Sequence, residues 1–196
     1  MATLATLRTQ LGDRLGDAAH VTWTSAEKDT VLKNAIQSLY PSFFQRKVAT
    51  TSAGAGPIQT APANARNLYL VGLQRTGSTR VRPIRGWSEG AGDAFVPKTG
   101  ITGQLLVWAW TEGWAAPAVE TDTLTIPRES EEVVLLRAEI SLLAGLLADH
   151  VRVEKYHALQ VRQGVTEDDV VLLIDAKQAA LRDLLERTIP LPEVRA

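Results

Sequence analysis

The sequence contains no cysteine, which excludes disulfide bonds and every zinc or redox site that depends on thiolate ligands. It also lacks an unbroken apolar run of about 18 residues, the length that a membrane-spanning helix requires. Residues 1–17 carry a charge every few positions, so the apolar segment of a secretory signal peptide is absent as well. These absences favour a protein that is made and used in the cytoplasm, or that leaves the cell inside a larger assembly.

An overall excess of charge is also missing, because the 196 residues carry a net charge of -1. A general attraction to nucleic acid or to anionic membranes is therefore not expected. The charges are nevertheless unevenly distributed: residues 1–100 carry 12 basic and 6 acidic side chains, and residues 101–196 carry 9 and 16. Either the two halves neutralise each other within one fold, or one charged surface meets a partner or the next copy of the chain in an assembly.

No group of residues has the spacing of an active site or a metal site. His150 and His157 are seven residues apart, whereas two metal ligands on one helix are typically about four apart with a carboxylate nearby. The glycines of residues 86–95 do not lie between a strand and a helix, so they match neither a Walker loop nor a dinucleotide-binding fingerprint. We therefore predict that the protein is not an enzyme, that it has no cofactor and no metal, and that the histidines, His20 included, are polar surface residues.

Two amphipathic helices are predicted in the first part of the chain. The first covers residues 3–15, with its apolar side chains at steps of three and four residues. These side chains are Leu4, Leu7, Leu11 and Leu15. The second helix starts after Thr24, because Thr24 and Glu27 have the spacing of a capping box. It kinks or ends near Tyr40, because Pro41 follows.

The longest helical pattern begins after Pro127, and we expect the other elements to pack onto it. Its first turn is rich in glutamate, and carboxylates there stabilise the positive end of the helix dipole. One apolar side of this helix is predicted from the spacing of Val133, Leu136, Ile140, Leu143 and Leu147. Residues 151–162 either continue this helix or form a short one of their own.

Thr166 starts a last helix that is predicted to end near Arg187. Its apolar face is formed by Val170, Ile174, Leu181 and Leu184 or Leu185. Residues 188–196 contain two prolines and have the composition of an extended tail. The tail consists of Thr188, Ile189, Pro190, Leu191, Pro192, Glu193, Val194, Arg195 and Ala196.

Between residues 46 and 122, short alternating runs replace the helical spacing, and glycine, proline, serine and threonine become frequent. Strands are predicted at residues 67–74, 80–87, 105–110 and 123–126, with a hairpin turn joining the first two. Residues 50–65 are small and polar, and we interpret them as an extended or mobile arm.

Four tryptophans lie in this β-rich region: Trp87, Trp108, Trp110 and Trp114. Because Arg80, Arg82 and Arg85 are close by in sequence, the rings could stack on single-stranded nucleic acid. The other interpretation, in which the rings form a strand core or a contact between subunits, is favoured because no RNA-binding motif accompanies them.

The predicted fold class is α+β. An antiparallel bundle of about four helices is formed by residues 1–48 and 122–187. A small antiparallel β subdomain, residues 49–121, is inserted into the bundle, and the extended tail of residues 188–196 follows it.

The order of these elements resembles that of the head-to-tail connector, or adaptor, proteins of tailed bacteriophages. Residues 4–41 carry the first part of the resemblance: a helix, a linker with Trp23 before a capping box, and a second helix that ends in Leu-Tyr-Pro. After the β insert, residues 122–148 carry the second part, a strand that ends in Ile-Pro and a long helix rich in alanine and leucine. The resemblance covers the whole chain in order.

The resemblance implies a structural protein of the virion neck, synthesised in the cytoplasm of the bacterial host. Members of this family assemble into a ring, usually of about twelve copies, that docks under the portal protein and seats the tail or a further neck protein. DNA is expected to pass through the channel without sequence-specific binding, because acidic residues on the last two helices would repel its phosphates. The portal is the expected partner of residues 188–196, and no membrane is involved.

Two other functions stay open on the sequence alone. The chain could be a tail-completion or tail-terminator protein, which would bind the tail tube and not the portal. It could also be a nucleic-acid-binding accessory protein that uses the tryptophan and arginine face of the β insert. Salt-sensitive binding of single-stranded DNA, lost when Trp108 and Arg82 are changed to alanine, would identify the second alternative.

Overall fold

A computed structural model describes residues 2–63, 65–90, 93–96, 101–159 and 166–188. Helices and antiparallel sheets are both present in these residues, so the protein belongs to the α+β class. The chain divides into two units, which we call the β unit, residues 44–113, and the helical unit, residues 1–43 together with 114–196. The β unit begins and ends earlier than the bounds of 49 and 121 predicted for the insert, because its first strand already starts at Gln45.

Five helices are found among the described residues of the helical unit. They are α1 (Leu4–Arg14), α2 (Ser25–Gln37), α3 (Arg128–Leu146), α4 (His150–Leu159) and α5 (Glu167–Thr188). The starts predicted after Thr24 and at Thr166 are confirmed, since α2 begins at Ser25 and α5 at Glu167. Residues 151–162 were predicted either to continue the long helix or to form a short one. Their described part, up to residue 159, belongs to a separate helix, α4.

The capping box predicted at the start of α2 is present. The Thr24 hydroxyl oxygen accepts a hydrogen bond from the backbone N–H of Glu27 at 3.3 Å. In return, Oε2 of Glu27 accepts one from the backbone N–H of Thr24 at 2.9 Å. Trp23, which directly precedes the cap, is 1% exposed, so the start of α2 is tied to the core of the unit.

Replacing Thr24 by alanine is expected to lower the free energy of unfolding by about 1 kcal/mol, because the first turn of α2 loses its side-chain acceptor. Denaturant titration followed by circular dichroism measures this change. Thr30→Ala is the matched control, since the Thr30 hydroxyl is exposed and donates only to the backbone oxygen of Ala26 inside the helix. Equal losses in the two variants would show that the capping box does not stabilise the helix.

Helix α3 is the central helix of this unit, and it contacts α1, α2, α4 and α5. The predicted one-sided apolar stripe is wrong in part, because Ile140 is only half-buried and Leu147 is 38% exposed. Buried residues instead surround most of the helix: Ser130, Val133, Val134, Leu135, Leu136, Ala138, Glu139, Leu142, Leu143 and Leu146. A helix packed against four others buries several sides, so its apolar residues are not confined to one stripe.

A buried ion pair holds the linker between α1 and α2. The ammonium group of Lys28 lies 2.9 Å from Oδ2 of Asp17, and both side chains are 0% exposed. The same carboxylate accepts hydrogen bonds from the backbone N–H groups of Val21, Thr22 and Trp23, at 2.7, 3.0 and 3.1 Å. Asp17 therefore satisfies three backbone donors and one buried cation in a linker that has no regular secondary structure of its own.

The β unit contains two antiparallel sheets. Its strands are β1 (Gln45–Ser52), β2 (Ile58–Thr60), β3 (Leu68–Gln74), β4 (Val81–Pro83), β5 (Ser88–Glu89), β6 (Asp93–Phe95) and β7 (Leu105–Glu112). The larger sheet has the strand order β1-β7-β3-β4, and the smaller one has the order β2-β6-β5. The first and last strands of the unit, β1 and β7, pair from Gln45 opposite Glu112 to Ser52 opposite Leu105.

Two sequence predictions for the β-rich region are wrong. Residues 50–65, interpreted as an extended or mobile arm, contribute to both sheets, through the end of β1 and through β2. Residues 123–126, predicted as a strand, form no strand, and Thr123 makes a single antiparallel bridge with Thr3. In both places the hydrogen-bond partner lies far away in sequence, so local composition does not reveal it.

Each unit has a hydrophobic core of its own. The core of the helical unit includes the four leucines predicted on α1, and also Val170 and Ile174 of the predicted apolar face of α5. The core of the β unit draws on both sheets, with Trp108 and Trp110 from β7 and Ala94 from β6. Each of these two cores is formed by residues of one unit.

Candidate interaction surfaces

Charge is divided between the two units. The β unit carries eight lysine and arginine residues and three acidic residues, a net charge of +5. The helical unit carries 13 basic and 19 acidic residues, a net charge of -6. The imbalance noted between the two halves of the sequence therefore follows the boundary between the units, and the two units carry net charges of opposite sign.

Three arginines of the β unit line one cavity of about 280 Å³, which we call the arginine cavity. The lining residues are Leu73, Arg75, Ser78, Arg80, Arg82 and Gln104. Arg75, Arg80 and Arg82 are exposed, and none of them forms an ion pair with a carboxylate of the described residues. Within the described residues, the cavity is therefore a basic site without a paired carboxylate.

The register of the larger sheet explains why these arginines meet. Leu73 of β3 lies opposite Arg82 of β4 on one side and opposite Leu106 of β7 on the other. Side chains two residues apart on a strand point to the same face. Arg75, two residues after Leu73, therefore joins Arg82 at the end of this face.

Strand β1 offers a second candidate surface, since it is an outer strand of the larger sheet. It is eight residues long, and among the described strands it pairs with β7 alone. Its side chains alternate between half-buried and exposed, and Val48 on the exposed side is 64% exposed. A long edge strand presents unpaired backbone donors and acceptors, which is how sheets extend across a subunit boundary.

Ion pairs join the helices of the helical unit to each other. Glu139 of α3 is 0% exposed and accepts hydrogen bonds from Arg14 of α1, at 3.2 Å, and from Lys177 of α5. Arg14 also lies 2.5 Å from Glu132, and its hydrogen bond holds the pKa of the Glu132 carboxyl below the usual value. Arg152 of α4 is 2.7 Å from a Glu27 oxygen of α2.

Helix α5 exposes apolar side chains next to acidic ones. Val171, Leu172 and Leu173 are 42%, 66% and 37% exposed; Leu172 lies opposite the buried Val170 and Ile174, and Val171 and Leu173 flank them. The first turn of the helix, Glu167 to Asp169, is acidic and exposed. Exposed apolar residues with a polar rim are typical of a surface that meets another protein.

The four tryptophans predicted as core or contact residues lie in two different places. Trp108 and Trp110 are 0% and 7% exposed in the core of the β unit, and Trp87 packs partly buried against the same core. Trp114 was assigned to the insert, but it belongs to the helical unit, where it is 6% exposed in the core. The buried ring of Trp108 presents no open face on which a base could stack, whereas Arg82 is exposed.

The predicted tail lies mostly outside the described residues, which end at 188. Thr188 itself is the last residue of α5, and its hydroxyl donates a hydrogen bond to the backbone oxygen of Leu184 at 2.6 Å. The extended tail predicted from Thr188 onwards therefore starts one residue too early, because α5 continues past Arg187.

No cluster of metal-ligating side chains is present in the part of the chain that the structure describes. His20 was interpreted as a surface residue, and its Nδ1 lies 3.1 Å from the ammonium group of the buried Lys28. His150 and His157 both belong to α4, and their side chains lie outside what is described. Among the described helices, none has both the length and the apolar character needed to cross a bilayer.

Sequence reasoning missed Arg75 and Gln104 as neighbours of Arg80 and Arg82. It grouped Arg85 with them by closeness in sequence, but Arg85 does not line the cavity. The signal that could have identified Arg75 is the hairpin itself, because residues on either side of its turn face each other.

Neither the models of known protein families nor the curated proteins gave a match to this chain.

Proposed function

We propose that the protein is a structural component of the neck of a tailed bacteriophage. Copies of the chain form a ring, of about twelve members, that joins the portal to the tail or to a further neck protein. DNA passes through the channel of this ring. The site of action is the head-to-tail junction of the virion, and the protein has no enzymatic activity.

The observation that carries this proposal is the division of charge between the units. A ring requires two different, complementary patches on each copy, because every subunit contacts one neighbour through each patch. A basic β unit of +5 and a helical unit of -6 supply such a pair within one chain. The outer strand β1 and the exposed Leu172 on α5 add contacts that do not depend on charge.

The proposal includes a finer arrangement of the helical unit. Its long helices form an antiparallel bundle in which α3 is central, and the bundle is interrupted by the β unit. The acidic side chains of α4 and α5 line the channel and repel the phosphates of DNA. Residues 188–196 bind the portal, so deleting residues 189–196, which follow α5 in the sequence, is expected to abolish portal binding.

Electron microscopy of the purified protein, alone and mixed with portal rings of the same phage, tests the proposal. A new collar on one end of the portal, absent from portal rings alone, is the expected result. Portal rings that stay bare while the protein caps isolated tails would instead identify a tail-completion or tail-terminator protein. Binding to neither would contradict both assignments.

Salt is expected to weaken the ring, because the screening length of charge falls from about 10 Å at 0.1 M salt to about 3 Å at 1 M. Analytical ultracentrifugation at these two concentrations measures the change in assembly, with the portal present if the free protein is monomeric. Leu172→Ser is the matched variant, since it removes an exposed apolar contact and leaves every charge in place. A ring that is insensitive to salt but lost in Leu172→Ser would show that apolar contacts, and not the charged units, hold the subunits together.

A further inference from the structure

We propose that the arginine cavity of the β unit is a phosphate-binding site. Arg75, Arg80 and Arg82 line one concave surface together with Gln104 and Ser78. Guanidinium groups have the planar geometry that binds two oxygens of a phosphate at once, and hydrogen bonds between charged groups are stronger than neutral ones. This function goes beyond the structural role proposed above and does not depend on it.

The hairpin brings these like charges to one cavity, where we expect them to repel each other. Gln74 lies opposite both Val81 and Leu105, so the next residues outward are Arg75, Arg80 and Gln104. Like charges opposite each other on neighbouring strands destabilise a sheet. The repulsion is removed when an anion occupies the space between the side chains.

No carboxylate of the described residues supplies this anion. Some basic residues of the helical unit differ in this respect, since Arg8, Arg14 and Lys28 each lie within 3.2 Å of an acidic side chain. Within the β unit, Glu112 pairs with Lys47 at 3.4 Å and stands at the far end of β7 from Gln104, about 26 Å away at the rise of a strand. The counter-ion of the cavity therefore comes from outside the described chain.

The loop that carries two of the arginines is held in one shape before any anion binds. The backbone N–H of Ser78 donates to the oxygen of Arg75 at 3.0 Å, and the N–H of Arg80 donates to the Ser78 hydroxyl at 3.1 Å. Gly77 has a φ of +79°, a conformation that side chains rarely adopt and that lets the turn close. Preorganised donors bind an anion without first losing conformational entropy.

Charge and size favour a phosphate group over a carboxylate. Three positive charges match a dianion better than a monoanion, and a phosphate offers more acceptor oxygens than a carboxylate does. A volume of about 280 Å³ is close to the lower limit of small-molecule sites, about 300 Å³, so it admits a phosphate together with part of the group that carries it. The same chemistry is presented by inorganic phosphate and by the backbone of DNA.

Thermal unfolding of the intact protein in increasing inorganic phosphate is the first test. A ligand that binds only the folded state raises Tm, and the rise gives the affinity. Arg82→Gln is expected to weaken phosphate binding about 10-fold to 100-fold, because one charged hydrogen-bond donor is lost. Arg66→Gln is the matched control, since it removes the same charge from an exposed position of the same unit outside the cavity, and its affinity is expected to equal that of the native protein.

A second measurement separates binding from a purely structural role. In low-salt buffer without phosphate, Arg80→Gln is expected to raise Tm, because the repulsion between Arg75 and Arg80 is removed. In the same buffer Arg66→Gln is expected to leave Tm unchanged. A fall in Tm for Arg80→Gln would show that the arginines stabilise the hairpin themselves, and it would overturn the proposal.

Fluorescence anisotropy with a labelled DNA duplex distinguishes the two sources of phosphate. If the backbone of DNA is the ligand, Arg82→Gln will reduce the slope of log affinity against log salt by about 1, with the same loss for unrelated sequences. If inorganic phosphate binds and DNA does not, the site takes a free phosphate. If neither binds, or if Arg82→Gln and Arg66→Gln bind both probes as the native protein does, the proposal is wrong.

Discussion

Asp17→Ala is expected to lower the free energy of unfolding by about 3–5 kcal/mol, which is a large part of the stability of an ordinary domain. The variant leaves the ammonium group of Lys28 buried without its partner carboxylate, which lies 2.9 Å away in the native protein. It also removes the acceptor of three backbone N–H groups in the linker between α1 and α2. The cost of a buried, unpaired charge far exceeds that of losing an exposed ion pair.

Denaturant titration measures this loss, and Asp13→Ala is the control. Asp13 is an exposed aspartate of α1, so its replacement is expected to change the free energy of unfolding by less than about 0.5 kcal/mol. A similarly small change for Asp17→Ala would mean that water reaches Lys28 in the folded protein.

The same pair predicts how stability depends on pH. Burial acts to raise the pKa of Asp17, but the hydrogen bonds from the backbone of Thr22 and from Lys28 outweigh it, and the pKa is lowered overall. Because the folded-state value lies below the unfolded value of about 3.9, the carboxylate stabilises the fold above that pH. This contribution is lost as the pH falls through the folded-state pKa, so the native protein is expected to lose more stability on acidification than Asp17→Ala does.

Trp108→Ala is expected to lower the stability of the β unit by about 3–5 kcal/mol, because it leaves a large cavity in the core of that unit. The ring of Trp108 is 0% exposed, and its indole N–H donates a hydrogen bond to the Thr51 hydroxyl oxygen of β1 at 2.7 Å. The alanine variant therefore removes buried apolar area and leaves the hydroxyl of Thr51 without its donor.

Hydrogen exchange measured by mass spectrometry is the suitable readout, because it reports each element separately. Peptides from β3 and β7 are expected to lose protection while peptides from α3 keep theirs, since the two units have separate cores. Tyr69→Ala, which removes a ring that is 49% exposed on β3, is the control and is expected to have little effect. Equal loss of protection in α3 would show that the two cores unfold as one cooperative body.

The sequence predicts the helices of this protein better than its strands, because helix signals are local. The capping box of Thr24 and Glu27 involves residues three apart, and the structure contains it. The burial of Glu139 could not be predicted from spacing, since it depends on Arg14 and Lys177, which come from the two ends of the chain. The burial of a carboxylate can be explained only when the cations that pair with it are known.

The same reason limits prediction of the β unit and of the candidate site. β1 contains Thr50, Thr51 and Ser52 and has no apolar alternation, so its sequence resembles a loop, and only its partner β7 makes it a strand. For the tryptophans, the sequence favoured a core or a subunit contact without separating the two, and the structure buries Trp108 and Trp110 in the β unit but Trp114 in the helical unit. The arginine cavity could not be predicted from the sequence, because it depends on the register of three strands, β3, β4 and β7.

The pairing of β1 with β7 affects which insertions, deletions and substitutions the β unit can accept. The two strands form a paired stem at the base of the β unit. Their pairing brings the Cα atoms of Gln45 and Glu112 to about 5 Å from each other. Everything between the two strands can therefore lengthen, shorten or be exchanged while the ends of the stem keep their spacing. The β unit interrupts the helical unit only once along the chain, between residues 43 and 114, so we expect it to acquire new specificity without a redesign of the helices.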